Sequence, residues 1–477
     1  MSEEREKNRQ QRKQKLKKKR THMSVQESRE RIRNFNEVAL GYTDKEALEE
    51  ASRCLKCKKP RCVKGCPVSV QIPEFIQKLF ENDINGAKDI ILCTNSLPAI
   101  TGRVCPQENQ CQEFCIHPNA ISIGNLERFV ADYGESGDRN IASELGSKVA
   151  VVGSGPSGLT CAAELAILGH KVTVYEALHE YGGVLTYGIP EFRMPKSVVN
   201  DEVKSVMALG VTFEKDALIG RTITVDELLE KYNFNAVYVA SGAGTPNFLD
   251  VPGENLNGVF SANEFLTRVN LLKGYMFPDY DTPVTIGEKV AVVGAGNVAM
   301  DCARTSLRLG AREVDIIYRR SEGEIPARLE EIIHAKEEGV VIGELTLPLE
   351  IIGDNKGNVV GLKCMKMDLG EKDASGRRRP IPIPETEFIF PVDTVIIAIG
   401  QRPNQLIAMT TDGLDTTKWG TFVHDEETGA TTRERIFCGG DVATGAATVI
   451  LAMGAGRKAA KAIHEMILEK DLNQTPE

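Results

Sequence analysis

No stretch of this chain approaches the ~20 consecutive apolar residues a membrane span requires, and its amino terminus is charged where a secretory signal would be apolar. Neither a spanning helix nor a signal peptide is therefore expected, and the cytoplasm is the expected compartment. No C-x-x-C pair falls beyond residue 57; Cys161, Cys302, Cys364 and Cys438 stand alone. That argues against a mechanism in which a nearby dithiol is reduced. A strong excess of positive charge is confined to one segment. The net charge is −9, yet the first twenty residues hold ten Lys or Arg against three Glu, which leaves −16 on the remainder. An acidic body is a poor match for nucleic acid, and residues 1–26 read as a solvated, disordered basic tail.

Bulk composition is that of a soluble globular protein, 42% apolar and 26% charged over 477 residues, or about three domains at ~150 residues each. Twelve cysteines without a secretory signal are expected to stay reduced, binding metal or filling cores. Residues 28–55 suit a helix whose apolar face includes Ile32, Phe35, Val38 and Leu40, ready to pack on the segment that follows. From Cys54 to about residue 142, cysteines are interleaved with short helical patterns, among them 72–80, where Pro73 suits a helix start. Strand-like alternation begins at Lys148, and strands then alternate with helices as far as a final helix near 454–468. This is an α/β pattern.

Seven of the cysteines form two runs, Cys54-x2-Cys57-x4-Cys62-x3-Cys66-Pro67 and Cys105-Pro106-x4-Cys111-x3-Cys115. Zinc could occupy such sets. Clustered cysteines followed by Pro are closer to low-potential 4Fe-4S sites, where one ligand often serves the other cluster. Two cubanes need eight ligands. Cys93 would be an eighth, but it lies in the apolar stretch 90–93, where a buried free thiol is the simpler reading.

Two glycine-rich fingerprints follow. In the first, the apolar run 149–152 leads into Gly153-Ser154-Gly155-Pro156-Ser157-Gly158, then a helical segment, 159–168, and a second strand, 171–175, closed by Glu176. The first glycine serves the tight turn, the second the approach of backbone to a pyrophosphate, the third the close packing of helix on strand, and the acid meets ribose hydroxyls. In the second, the run 290–293 leads into Gly294-Ala295-Gly296-Asn297, with Ala299 at the third position. Its second strand, 314–318, ends in Arg319 and Arg320 instead of an acid. Two guanidinium groups there favour a 2′-phosphate, hence NADP over NAD. A bound flavin and a diffusing nicotinamide account for two nucleotide sites. An NADP-sensing scaffold with structural zinc is the non-enzymatic alternative.

The motifs Arg53-Cys-Leu-Lys-Cys57, Gly65-Cys-Pro67, Gly102-Arg-Val-Cys-Pro106, Gly183-Val-Leu-Thr-Tyr-Gly-Ile-Pro190, Tyr318-Arg-Arg320 and Phe437-Cys-Gly-Gly-Asp441 carry a resemblance over residues 27–470. The chain resembles the paired-Rossmann, two-dinucleotide flavoprotein reductases, and among them the glutamate synthase (NADPH) small-subunit family. The same module is similar to the flavin half of NADH-dependent ferredoxin:NADP oxidoreductases, to sulfide dehydrogenases and to the amino-terminal part of dihydropyrimidine dehydrogenases.

The resemblance implies an FAD site lined by Ser154, Glu176, Gly183, Arg193, Asp441 and Thr448. The residues themselves agree for Asp441, since Gly439-Gly440-Asp441 follows an apolar strand and precedes a helix of small residues, where a short acid can hold a ribityl hydroxyl. The segments 240–244 and 398–401, the latter containing Gly400, are by resemblance the crossovers between the two nucleotide domains. Also by resemblance, Glu127 is the last cluster ligand, with Cys54, Cys57, Cys62 and Cys115 on one 4Fe-4S cluster and Cys66, Cys105, Cys111 and Glu127 on the other. The implied domains are a helical iron-sulfur domain (27–142), an FAD domain (143–285), an NADP domain (286–400) and the return of the FAD domain (401–477). NADPH would reduce FAD, and electrons would leave through the clusters. Hydride transfer needs positioning and no dedicated acid or base, so no catalytic side chain is named. With no amino-terminal Cys nucleophile and no length for a barrel, this chain alone is not expected to make glutamate from glutamine. Its implied partner is a glutamate synthase large subunit. The alternatives are another electron-accepting flavoprotein or ferredoxin, within a bifurcating oxidoreductase or sulfide dehydrogenase.

Overall fold

The computed structural model describes residues 10, 13–137, 139–373 and 376–474, with side chains to residue 470. Lys148–Val152 is apolar after its first residue, with three β-branched valines, and it is buried from Val149 onward. It forms the centre of a parallel sheet whose order is Ile436–Cys438, Ala236–Val239, Lys148–Val152, Lys171–Tyr175, Thr212–Glu214. The strand nearest the chain end, Ile436–Cys438, thus pairs with Ala236–Val239 at the edge of this sheet. The helix Pro156–Ile167 packs on this sheet, and the long helix Val449–Gln474 packs on that helix so tightly that a Cβ on Gly456 would lie 2.3 Å from the Ser157 carbonyl oxygen.

A second parallel sheet repeats the plan: Val259–Ser261, Thr394–Ile397, Lys289–Val293, Glu313–Ile317, Val341–Gly343. Its edge strand and the helix Ala262–Asn270 fall before residue 286, the boundary expected from sequence. Phe265, Leu266 and Val269 join the core made by Val290, Val292 and Met300, so the second unit begins earlier in the chain than expected. The segments expected as crossovers, 240–244 and 398–401, lead into Thr245–Pro246 and Gln401–Arg402, which pair antiparallel as a two-stranded ribbon. Inserted before the last strand of this unit is an antiparallel sheet that the strand-helix alternation did not announce. It comprises Thr346–Gly353, Val359–Lys372, Arg378–Pro382 and Phe388–Phe390.

The cysteine domain is built from short helices: Asp44–Ala51, Arg61–Lys64, Ile72–Phe80, Ile84–Leu92, Pro98–Val104 and Ile123–Tyr133. Thr43 and Glu46 form a capping box at the first of these. The apolar residues Phe75, Ile76, Leu79, Leu97, Ile100 and Phe129 form one core, continuous with that of the first nucleotide unit through Leu159, Met453 and Ile463. Residues 28–38 do more than cover this domain. Arg31 is buried against Glu338 of the second unit at 2.7 Å, and Phe35 stacks on Tyr275.

The basic segment also departs from expectation. Lys15 Nζ donates to the Cys54 carbonyl at 2.7 Å, Lys18 Nζ to Ser52 Oγ at 2.8 Å, Arg20 Nε to Ser122 Oγ at 2.6 Å, and the Thr21 amide to Glu50 Oε2 at 2.8 Å. The helix Asp44–Ala51 ends here, and its carboxyl end draws cations. Residues 13–26 are therefore part of the cysteine domain, while 1–9, 11 and 12 lie outside the described residues. Among the described residues no helix is long and apolar enough to cross a membrane.

Candidate functional site

The two cysteine runs fold so that thiols distant in sequence become electrostatic neighbours. Burial pushes Cys62 up to about 12, and Cys115, Cys54 and Cys57 push in the same direction. These four border one hollow together with Arg61, Phe114 and Ile116. Burial also raises Cys105 and Cys111 well above an ordinary thiol; for both, the next cause is Glu127, followed by Cys111 and Cys66 for Cys105 and by Cys66 and Cys62 for Cys111. Cys66 is raised by burial and by Glu127. Glu127 is itself raised to about 7 by burial, and its Oε1 accepts from Asn95 Nδ2 at 2.9 Å and from Thr101 Oγ1. Cys54, Cys57, Cys62 and Cys115 thus share one hollow, Cys66, Cys105 and Cys111 lie near Glu127, and Cys62 beside Cys111 links the two groups.

Thiols this deep ionise readily only against metal charge, and sets of soft thiolate donors suit iron-sulfur clusters. Cys93, read as a buried thiol, is exposed. It caps the carboxyl end of Ile84–Leu92, where its Sγ donates to the Asp89 carbonyl at 3.3 Å, and it belongs to neither set.

The first glycine loop is shaped by contact on two sides and by space on the third. A Cβ on Gly153 would lie 2.4 Å from the Ala240 carbonyl oxygen, and one on Gly158 would lie 1.9 Å from that of Gly153. A Cβ on Gly155 would meet no protein atom within 4 Å. This open position precedes the amino end of Pro156–Ile167, where unpaired amides attract phosphate. Glu176 lies across the loop and accepts from the Ser154 amide at 3.0 Å and from Ser154 Oγ at 2.5 Å. Ser154 Oγ in turn accepts from the Gly182 amide, which draws the turn containing Gly183 against Gly155. On the returning chain Asp441 begins a short helix after Gly440 and accepts from the Ala447 amide at 3.2 Å; burial raises it to about 6. Thr448 Oγ1 accepts from the Leu451 amide at the start of the last helix. The loop, Glu176 and Asp441 form a cradle that fits a dinucleotide.

The second loop has the same form. A Cβ on Gly294 would lie 2.3 Å from the Ala398 carbonyl oxygen, while one on Gly296 would meet nothing within 4 Å. Asn297 opens the helix Asn297–Arg308 and its Oδ1 accepts from the Arg328 amide at 2.9 Å. Gly400 sits at positive φ beside the crossover ribbon. The two arginines at the end of the second strand separate in role. Arg319 is exposed, whereas Arg320 is buried, with Nη2 on Asp373 Oδ2 at 2.6 Å and Nε on the Arg378 carbonyl at 2.8 Å.

Arg193, placed at the flavin by resemblance, ties the two nucleotide units together. Its Nη1 donates to both Asp301 oxygens at 2.7 and 2.6 Å, and its Nε pairs with Glu331 at 3.1 Å. Burial would lower its affinity for a proton, but Asp301 and Glu331 outweigh burial and hold it above the ordinary arginine value. Sequence reasoning missed these acids because they lie more than 100 residues away, in two ordinary-looking helices, Asn297–Arg308 and Leu329–Glu337.

Residues 147–459 match the family model described as pyridine nucleotide-disulphide oxidoreductase, and residues 31–138 match dihydropyrimidine dehydrogenase domain II, 4Fe-4S cluster. The glutamate synthase (NADPH) small chain of Azospirillum brasilense is 36% identical over 447 residues, covering 91% of this chain and 92% of that one. The chain belongs to the glutamate synthase small-chain family of pyridine nucleotide-disulphide oxidoreductases. The NADP(+)-dependent formate dehydrogenase subunit beta of Moorella thermoacetica is 37% identical over 446 residues; the match takes in 87% of this chain but only 61% of that longer relative. Among solved structures, Mycobacterium tuberculosis FprA in complex with NADPH superposes with a TM-score of 0.57 at 22% identity, covering 69% of this chain and 87% of FprA, a likeness of fold. As a member of this family the chain is a pyridine-nucleotide oxidoreductase with an amino-terminal iron-sulfur domain, and the zinc-scaffold alternative falls.

Proposed function

We propose that this chain is the NADPH-oxidising small subunit of a glutamate synthase, using FAD and two 4Fe-4S clusters to pass electrons to a separate large subunit. The observation that carries this reading is extent. The chain spans 92% of the Azospirillum small chain, with both nucleotide loops and both cysteine neighbourhoods within that span.

The flavin supplies the change from a two-electron donor to single electrons, and the clusters conduct them. The chain's own residues hold and orient. Gly153, Gly155 and Gly158 admit the FAD pyrophosphate, Glu176 faces its ribose, and Asp441 and Thr448 close the far side. Gly294, Gly296 and Asn297 admit NADPH. Cys66, Cys105, Cys111 and Glu127 would hold one cluster; the helix that begins beside Thr448 runs past this set, where Gly454 approaches Pro67 and Arg457 Nη1 donates to the Val68 carbonyl at 3.0 Å. Cys54, Cys57, Cys62 and Cys115 would hold the other. There Phe114 and Ile116, 39% and 45% exposed, border the hollow and offer an exit face.

A second reading keeps this electron input and changes the acceptor. The Moorella relative is a formate dehydrogenase subunit, so the same module serves other partners, and another flavoprotein or ferredoxin would then take the electrons. Steady-state NADPH oxidation by the chain mixed with a glutamate synthase large subunit separates the two readings. Turnover that requires both glutamine and 2-oxoglutarate supports the first; oxidation coupled only to ferredoxin or to formate-dependent chemistry supports the second.

A further inference from the structure

In a nucleotide-binding sheet of this type the adenine ribose lies at the carboxyl end of the second strand, here just after Glu313–Ile317. Of the two arginines that follow, Arg320 is already committed. Its guanidinium is held by Asp373 and by the Arg378 carbonyl, both from the antiparallel insertion. The effect is to draw the hairpin formed by Val359–Lys372 and Arg378–Pro382 down onto the end of the parallel sheet.

That contact brings another cation to the same place. Arg378 Nη2 donates to Ser321 Oγ at 3.3 Å and its Nε to Glu324 Oε1 at 2.7 Å; Ser321 Oγ also donates to Glu324 Oε2. The side chain of Arg378 is 47% exposed, and that of Glu324 is 10% exposed. The Glu324 carboxylate thus accepts from a guanidinium and a hydroxyl, the pair of donors that a phosphate monoester takes. Arg319, exposed and adjacent in sequence, stands at the same strand end.

We propose that Arg378, presented by the hairpin, is a ligand of the NADPH 2′-phosphate, and that Glu324 occupies its place until the nucleotide displaces it. Arg320 is the positioning residue that fastens the hairpin. The phosphate takes over the hydrogen bonds of Ser321 and Arg378, and Glu324 swings toward solvent. Specificity for NADPH over NADH then depends on a residue almost 60 positions beyond the sequence motif that announces it. No hydride step is involved, so the effect falls on binding of the phosphorylated nucleotide alone.

The test is calorimetric titration of the oxidised holoenzyme with NADP+ and with NAD+. Arg378→Ala should weaken NADP+ about tenfold or more, the loss of one charge-assisted hydrogen-bonded contact, with NAD+ changed less than about twofold. Arg378→Lys should recover part of the loss. Glu324→Gln, which removes the competing charge, should tighten NADP+ and leave NAD+ alone; this isosteric variant keeps the question open to decision if Arg378→Ala folds poorly. Equal effects of Arg378→Ala on both nucleotides, or weaker NADP+ binding by Glu324→Gln, would overturn the proposal. Equal affinity of the unaltered enzyme for NAD+ and NADP+ would overturn the NADPH reading itself and this subsite with it.

Discussion

Arg328 connects the second nucleotide loop to the cysteine domain: its amide donates to Asn297 Oδ1 at 2.9 Å, while its Nη1 donates to the Arg103 carbonyl at 2.8 Å. Two residues after Arg103 comes Cys105, which registers the same guanidinium among its electrostatic neighbours. Arg328→Ala should therefore loosen one unit from the other. The expected loss is ~1.5–3 kcal/mol, as for a hydrogen bond to a charged group. Differential scanning calorimetry should show a lower transition, and hydrogen exchange should quicken in 98–111; unchanged exchange there would exclude this coupling.

The first glycine loop allows ligand binding to be separated from folding. Gly155→Ala introduces a methyl that meets no protein atom within 4 Å at an ordinary φ of −69°. It should leave the thermal transition of the flavin-free protein in place and sharply reduce bound FAD. Gly158→Ala drives a methyl to 1.9 Å from the Gly153 carbonyl oxygen and should damage both, as overpacking does, by ~1–3 kcal/mol. Flavin content and melting temperature, measured side by side, check the contrast.

Glu338 is buried among Arg31, Arg304 and Arg308 at 2.7 Å from each. Burial alone would raise its carboxyl, but Arg304 and Arg308 outweigh that and lower it from 4.5 to about 2. A carboxylate with a depressed value stabilises the fold above its unfolded value and loses that contribution as pH falls through the folded one. Glu338→Gln should cost ~3–5 kcal/mol near neutrality, since it leaves buried guanidinium charge uncompensated. The gap between variant and parent should narrow as pH drops from 4.5 towards 2. Urea denaturation across that range would show it; a constant gap would contradict the assignment.

Phe114 and Ile116 bound the outer cysteine hollow and are exposed. If electrons leave there, Phe114→Asp and Ile116→Asp should slow transfer to the large subunit by about tenfold or more, the loss expected for an apolar interface anchor, without changing the rate at which NADPH reduces the flavin. Equal slowing of both rates would place the exit elsewhere.

The sequence made the nucleotide units legible because their signals are local: an apolar strand, a glycine loop and a helix lie within about twenty residues of one another. The cysteines were legible for the same reason. Arg193 and Arg320 were not, since their acids Asp301, Glu331 and Asp373 arrive from distant elements and a charged side chain in a motif carries no mark of its partner. The basic segment was misjudged because composition describes a solvated tail, whereas the acceptors that dock it, Glu50 and the Ser52 and Cys54 positions, exist only once Asp44–Ala51 has folded. The edge strand Val259–Ser261, three residues long, is too short for periodicity to assign to either sheet.

The most direct test of the electron path is anaerobic stopped-flow mixing of the reconstituted chain with NADPH, followed at flavin and cluster wavelengths, before and after adding a large subunit. Flavin bleaching should come first, cluster bleaching after it, and reoxidation of both when the large subunit, glutamine and 2-oxoglutarate are all present. Flavin bleaching that never reaches the clusters would contradict this path.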